Sequence, residues 1–234
     1  MSKVIIKDYT TKNPITMIGE MAGICYGADT TDPVKNYKRG LECLANEHGR
    51  TLEFPSVYMI VDGYSARLMR EIYTHIGGAP TRLQASTRYI DYAKGFKYFT
   101  PPSIETNAKA LMVYNGIMLN IADGLRELEA LGIPKEDSAN ALPLGMESTM
   151  VGKYNPRTLI DMSHQRMCSR AYHEYRKFFK DFCKALSDYS DEWAYLVENY
   201  FKAKCDYTGF CPEKFSCGRK PKKITKLVDK ELKK

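Results

Sequence analysis

No apolar run in this 234-residue sequence approaches the roughly 20 residues that cross a bilayer. The opening Met1-Ser2-Lys3-Val4 also lacks a signal-peptide pattern. A cytoplasmic protein with no membrane role is therefore expected. The phosphate loops GxGxxG and GxxxxGK followed by Ser or Thr are both missing, as are internal repeats. The seven cysteines are an odd number, which argues against a closed disulfide framework, and the paired CxxC knuckles of zinc ribbons are absent. Excess charge is nearly absent from the body of the chain. Of the net +7, the eight Lys/Arg and two Asp/Glu from Arg219 to Lys234 supply +6, leaving +1 for residues 1–218. A basic tail of this kind is usually solvated, so nucleic acid is not an expected partner of the body. A length of 234 residues and a hydrophobic share of 44% suffice for one domain with a real core.

What is present is most concentrated between Tyr73 and Tyr89. A predicted helix runs into Gly77-Gly78, where paired glycines supply positive φ, and Pro80 cannot extend it. Arg82, Gln84, Ser86 and Arg88 then alternate ahead of an aromatic, strand-like run from Tyr89 to Phe99. Two guanidiniums around an amide and a hydroxyl suit a phosphorylated ligand, because arginine forks grip phosphate oxygens and hydroxyls complete the cradle. The same residues also suit a polar surface loop that caps the preceding helix.

Elsewhere the pattern alternates helix and strand. Val4-Ile5-Ile6 reads as a short strand, Ala22 to Gly27 as a buried turn, and Asp32-Pro33 as the start of a helix ending near His48-Gly49. Val57 to Asp62 is apolar on both faces and so predicts an internal strand, and Ser65 can cap the helix after it. Leu111, Tyr114, Met118, Ile121, Leu125 and Leu128 mark a helix stopped by Gly132 and Pro134. Asn155 and Pro156 open what reads as the longest helix, with Cys168, Ala171, Tyr175, Phe178, Phe182 and Leu186 inward. Its second stripe is Arg166, Arg170, His173 and Lys177. The apolar residues around Arg166 and Arg170 point to a ligand or an interface for these two. Cys205, Cys211 and Cys217 share a five-residue gap, but plain reduced thiols are expected and no metal is assigned.

Three separated pieces resemble the flavin-dependent thymidylate synthases. They are Gln84-Ala85-Ser86-Thr87-Arg88-Tyr89, Leu142-Pro143-Leu144, and Asn155-Pro156-Arg157-Thr158-Leu159 followed by Gln165-Arg166. That family carries a Ser-x-Arg-Tyr, a Leu-Pro, an Asn-x-Arg-Ser-Leu and a Leu-Arg in the same order. Earlier, Ala22 to Tyr26 and His48 to Glu53 fall where it has Ala-Arg-x-Cys-Tyr and His-x-x-Pro-Phe-Glu-His. The resemblance spans roughly residues 15 to 190 and implies a catalytic domain over 1–200, with 201–234 as a Cys-containing, Lys-rich extension. It implies an α/β (α+β) fold: a twisted, mostly antiparallel sheet flanked by long helices. It also implies a homotetramer with active sites between subunits.

By the same resemblance the chain methylates dUMP at C5. Methylenetetrahydrofolate would be the carbon donor, reduced FAD the hydride donor and NADPH the reductant. Arg166 and Ser86 take catalytic places, and Glu71, Gln84, Ala85, Ser86, Arg88 and Arg166 hold dUMP. Cys25, Arg50, Glu53, His75, Arg82, Asn155, Arg157 and Arg170 fall to FAD, and His48 lies near the folate. Departures from the family are Thr74 and Ile76 around His75 in place of two arginines, Phe54 for a histidine, Glu71 for a glutamine and Ala139 for an arginine. A related flavoenzyme acting on another uridine nucleotide, or a homologue without chemistry, would also fit these departures.

Overall fold

The computed structural model describes residues 2–222. Twelve residues of the lysine-rich tail, 223–234, lie outside them, and with them the expectation of a solvated tail. In chain order the elements are β1 (Lys3–Ile6), α1 (Pro14–Cys25), α2 (Pro33–Ala45), β2 (Val57–Ser65), α3 (Ala66–Tyr73) and β3 (Thr81–Gln84). There follow α4 (Pro102–Glu105), α5 (Ala108–Ala130), α6 (Lys135–Ser138), β4 (Glu147–Tyr154), α7 (Pro156–Arg166), α8 (His173–Ser187), α9 (Asp191–Tyr200) and α10 (Lys204–Thr208). Over the described residues they form two compact units. One takes the N-terminal strand and Tyr58–Lys153, the other Asp8–Val57 and the chain from Tyr154 on.

The first unit is built on a four-stranded sheet in the order β1-β2-β4-β3. Lys3 to Ile6 pair antiparallel with Asp62 to Met59, and Thr81 to Gln84 pair antiparallel with Lys153 to Met150. Val57, Met59 and Val61 are buried and Tyr58, Ile60 and Asp62 half-buried, so the two-faced apolar pattern is indeed an internal strand. Ser65 ends that strand and caps α3, its Oγ accepting from the Leu68 N–H at 3.1 Å. Helix α5 is the longest at 23 residues. Of its predicted stripe only Met118 and Leu125 are fully buried, while Met112, Val113, Ile117 and Leu119 on its other side are exposed.

In the second unit α1 and α2 touch backbone to backbone. A Cβ on Gly19 would lie 1.8 Å from the Asn36 carbonyl oxygen, and one on Gly40 2.0 Å from that of Ile15, so both positions must be glycine. Glu192 of α9 closes the start of α1, its Oε2 accepting from Ile15 N at 2.6 Å and Thr16 N at 2.9 Å. Tyr175, Phe178, Phe179 and Phe182 of α8 and Trp193 of α9 are buried, with Phe178 and Phe182 stacked at 6.2 Å.

Four local expectations change. The helix opened by Asn155 breaks: α7 ends at Arg166, Tyr172 is extended (φ −51°, ψ 132°), and α8 restarts at His173. Across the break the Arg166 guanidinium lies 4.7 Å from the Tyr175 ring centroid. Arg166, Arg170, His173 and Lys177 therefore share no single helix face. Tyr89 to Phe99 is a series of turns rather than a strand. Tyr89 N and Ile90 N both donate to Ser86 O, Asp91 Oδ1 accepts from Ala93 N, and Tyr98 alone bridges to Met146. Ala22 and Gly23 are buried within α1, but Ile24 and Tyr26 beyond them are exposed, so no buried turn forms there. Helices α2 and α3 stop at Ala45 and Tyr73, short of the glycines read as their ends, because Asn46 and Thr74 already turn the chain. No helix among the described residues is long and apolar enough to cross a membrane.

Candidate active site

In the first unit the Gln84–Arg88 segment leaves the sheet at the end of β3, an edge strand. Ala85 N donates to Thr149 O at 2.8 Å and Gln84 Nε2 to Ser148 Oγ at 3.3 Å, so both are anchored on β4. Ser86 Oγ accepts from Arg88 N at 3.3 Å, and the Arg88 guanidinium reaches Glu136 of α6 at 2.6 Å. The four residues of this segment assigned to dUMP thus fall within five consecutive positions and are exposed or half-buried, with the one cation among them held by a carboxylate.

Arg82 has a different task. Its Nη1 donates to the carbonyls of Ile72 and His75, both at 3.1 Å, and its guanidinium lies 4.6 Å from the Tyr73 ring centroid. It closes the C-terminal end of α3, where carbonyls lack helical partners and a cation is favoured. Glu71 stands one turn back on α3, 3.8 Å from Arg67. The structure thus groups Glu71, His75 and Arg82 around the end of α3.

In the second unit Glu53 ends a single 3-10 turn and receives two arginines: Arg157 on Oε1 at 2.6 Å and Arg50 on Oε2 at 2.8 Å. Arg157 first, and Arg50 after it, hold its carboxyl below the ordinary 4.5. Asn155 caps α7, accepting from Thr158 N at 2.9 Å and Thr158 Oγ1 at 3.0 Å, and so fixes where Arg157 leaves the helix. Arg157 lines a solvent-open concavity of about 830 Å³ together with Gly49, Leu52, Ile160, Asp161, His164 and Tyr207. Burial keeps the His164 imidazole below its ordinary 6.5, helped by Lys204 and Lys202, so it is neutral near pH 7.

The remaining assigned residues lie apart from this cluster. Arg166 sits over Tyr175 at the end of α7, and Arg170 donates to Phe215 O in the turn before α8. His48 is exposed on the loop after α2, and Cys25 ends α1 with Sγ 3.5 Å from Met21 O. Asp161 and His164 were not picked out from the sequence. Their spacing from Arg157, four and seven residues along one helix, is the signal that places all three on one face.

The chain thus combines an antiparallel sheet and long helices with an Asn-x-Arg helix start whose Arg157 pairs with Glu53. The model of the thymidylate synthase complementing protein family matches residues 6–189. The chain belongs to this family, in agreement with the motifs. A flavin-dependent thymidylate synthase of Nitratidesulfovibrio vulgaris is 28% identical over 188 residues, covering 76% of this chain and 74% of the relative. Thymidylate synthase X of Helicobacter pylori, solved with FAD and dUMP, superposes with a TM-score of 0.65 at 20% identity, covering 86% of this chain and 100% of that one. A UMP/dUMP methylase, PolB of Streptomyces cacaoi, bound with 5-Br dUMP, gives 0.68 at 16% identity, covering 86% and 96%. At these identities the two structures speak for the fold, which is the one expected.

Proposed function

We propose that the chain is a flavin-dependent thymidylate synthase that converts dUMP to dTMP. The C5 proton of uracil leaves, the methylene carbon of methylenetetrahydrofolate takes its place, and a hydride completes the methyl group. The observation that carries this reading is the Arg50–Glu53–Arg157 cluster within the family-matched segment, whose Arg157 lines a concavity.

The residues there fit a flavin nucleotide. Two guanidiniums can meet phosphate or ring oxygens, Glu53 fixes their direction, and Gly49 leaves Arg157 space, an added Cβ coming within 3.4 Å of its Nε. FAD, when bound and reduced by NADPH, supplies the hydride. Arg50, Glu53, Asn155 and Arg157 form the core of that site, with Cys25, His75 and Arg170 as further FAD residues, Arg82 acting only by closing the end of α3 at the His75 carbonyl, and His48 toward the folate. Glu71, Gln84, Ala85, Ser86 and Arg88 orient dUMP, with Arg88 on its phosphate in exchange for Glu136. Arg166 faces the uracil and stabilises negative charge on the ring carbonyls as it develops, with Ser86 beside the reacting ring.

We infer further that four copies assemble, with active sites between subunits. The exposed apolar side chains Met112, Val113, Ile117 and Leu119 along α5 support association, since exposed apolar surface marks interfaces. Seven free cysteines accord with a reducing, cytoplasmic home.

The test is tritium release from dUMP labelled at C5, with FAD, NADPH and methylenetetrahydrofolate supplied. Release that needs flavin and folate supports the reading. Ala139 in place of an arginine, and the fold shared with a UMP/dUMP methylase, favour a second reading in which another uridine nucleotide is the substrate. Release from labelled UMP but not dUMP would select it. Absence of release from both, with no flavin retained, would leave a homologue without the chemistry.

A further inference from the structure

We propose that Cys168, Cys205, Cys211 and Cys217 form a structural zinc site that clamps the segment after Tyr200 to the turn between α7 and α8. All four line one concavity in the second unit, whereas Cys25, Cys43 and Cys183 do not. Three come from the 22 residues after Tyr200 and one from the turn where α7 breaks. Four soft ligands from two separate segments suit zinc, which takes tetrahedral thiolate sets in structural sites.

The charge around the concavity points the same way. Lys204, Arg170, Arg219 and Lys220 line it beside the four sulfurs and Glu213, with Asp206 pairing Arg219 at 2.8 Å and Lys220 at 3.8 Å. A zinc ion held by four thiolates carries a net charge of about −2 and is stabilised by nearby cations and N–H donors. One such donor is in place: Arg219 Nη2 stands 3.2 Å from Cys205 Sγ.

The segment also has need of a clamp. It lies beyond the family match, and among its described residues the one helix is five residues long and only Phe201, Ala203, Cys205 and Cys211 are buried hydrophobic groups. A piece this small buries too little apolar surface to hold itself, and small loop-rich folds add metals or disulfides for that reason. No three His, Cys, Asp or Glu side chains among the described residues already stand at ligand spacing. Binding the ion would require Cys168 and the exposed Cys217 to move in toward Cys205 and Cys211. His164, four residues before Cys168, lines the same concavity; its Nε2 is buried with no hydrogen-bond partner among the described residues, making it the competing fourth ligand.

The test uses the full chain, purified without chelators, with metal content read by mass spectrometry. One zinc per chain is expected. It should be lost in Cys211→Ser and Cys217→Ser and kept in Cys25→Ser. Cobalt replacing zinc should show the intense tetrahedral absorption and sulfur-to-cobalt bands of a tetrathiolate site. Cobalt binding to the wild-type chain remains decisive should a serine variant fail to fold. Wild-type protein free of zinc, and giving no sulfur-to-cobalt bands on titration, would overturn the proposal. Zinc retained in Cys168→Ser but lost in His164→Ala would overturn the ligand set. None of these readings depends on turnover.

Discussion

Arginines carry the candidate chemistry in both units, but the two units hold them differently. In the first, Arg82 is committed to the carbonyls that end α3, and Arg88 is held by a carboxylate from α6, both side chains of that pair being more than half exposed. In the second, Arg50 and Arg157 share the two oxygens of one Glu53, Arg157 also lining a concavity, and Arg166 is laid over an aromatic ring. A guanidinium on backbone carbonyls is a fixed part of the fold. One on a shared carboxylate is positioned with donors left over for a ligand. One in an exposed ion pair can change partners at small cost.

The largest effect tests whether Arg166 works on the substrate or only packs. If it stabilises charge developing on uracil, Arg166→Ala should lower kcat by about 100- to 1,000-fold, the range for removing one such donor. Tritium release gives the rate, and circular dichroism confirms the fold. Turnover within a few-fold of wild type would leave Arg166 a packing residue and the two units less different than they look.

Next comes the shared carboxylate. Arg157→Ala should weaken FAD binding by about tenfold or more, as a lost charge-assisted hydrogen bond of roughly 1.5–3 kcal/mol implies. Flavin absorbance per chain after gel filtration reads this directly. The same cluster has a pH signature. Because Arg157 and Arg50 hold the Glu53 pKa below its ordinary 4.5, its contribution to stability is complete above that value. It is lost as pH falls through the depressed one. Wild type should therefore lose thermal stability more steeply below pH 4.5 than Glu53→Gln does. Parallel curves would show that the cluster contributes nothing to folding.

Arg82 should behave as the opposite of Arg157. Arg82→Ala removes the cation that closes α3, which costs stability of about 0.3–1 kcal/mol for a charge at a helix end. The unfolding midpoint should drop while flavin content per chain stays near wild type. Lost flavin with an unchanged midpoint would make Arg82 a ligand residue and return it to the role that the missing arginines around His75 suggested.

These differences follow what was legible in the sequence. The caps at Asp32, Ser65 and Asn155 act as read, because a cap is a contact between neighbours in sequence and needs no tertiary information. The internal strand Val57 to Asp62 was legible from its two apolar faces. The break between α7 and α8 was not, since Cys168, Ala171 and Tyr175 keep helical spacing and no Gly or Pro interrupts them. Across the interruption Arg166 meets the Tyr175 ring, a contact that no local pattern encodes. Helix α1 was passed over although Asn13-Pro14 is a start signal. Its contact with α2 rests on two glycines, which carry no hydropathy signal. At the site, motif order placed Gln84 to Arg88 and Asn155 to Arg157 without showing what each side chain holds. Arg82 was assigned to FAD as a stand-in for the two arginines missing around His75; that it also caps carbonyls seven and ten residues back was not legible.

The smallest expected effect is the most direct probe of exchange. If Arg88 leaves Glu136 to meet the nucleotide phosphate, then Glu136 competes with substrate. Removing its charge should help binding. Exposed ion pairs contribute about 0.2–1 kcal/mol, so Glu136→Gln should lower the KM for dUMP by no more than about fivefold. The change in kcat should be slight, because the pair is broken in both the bound and the reacting states. The gain should shrink as salt rises, since screening already weakens the pair in the wild-type chain. A raised KM would mean that Glu136 orients Arg88 for the phosphate, as Glu53 orients Arg157. The first unit would then hold its cation by the same device as the second.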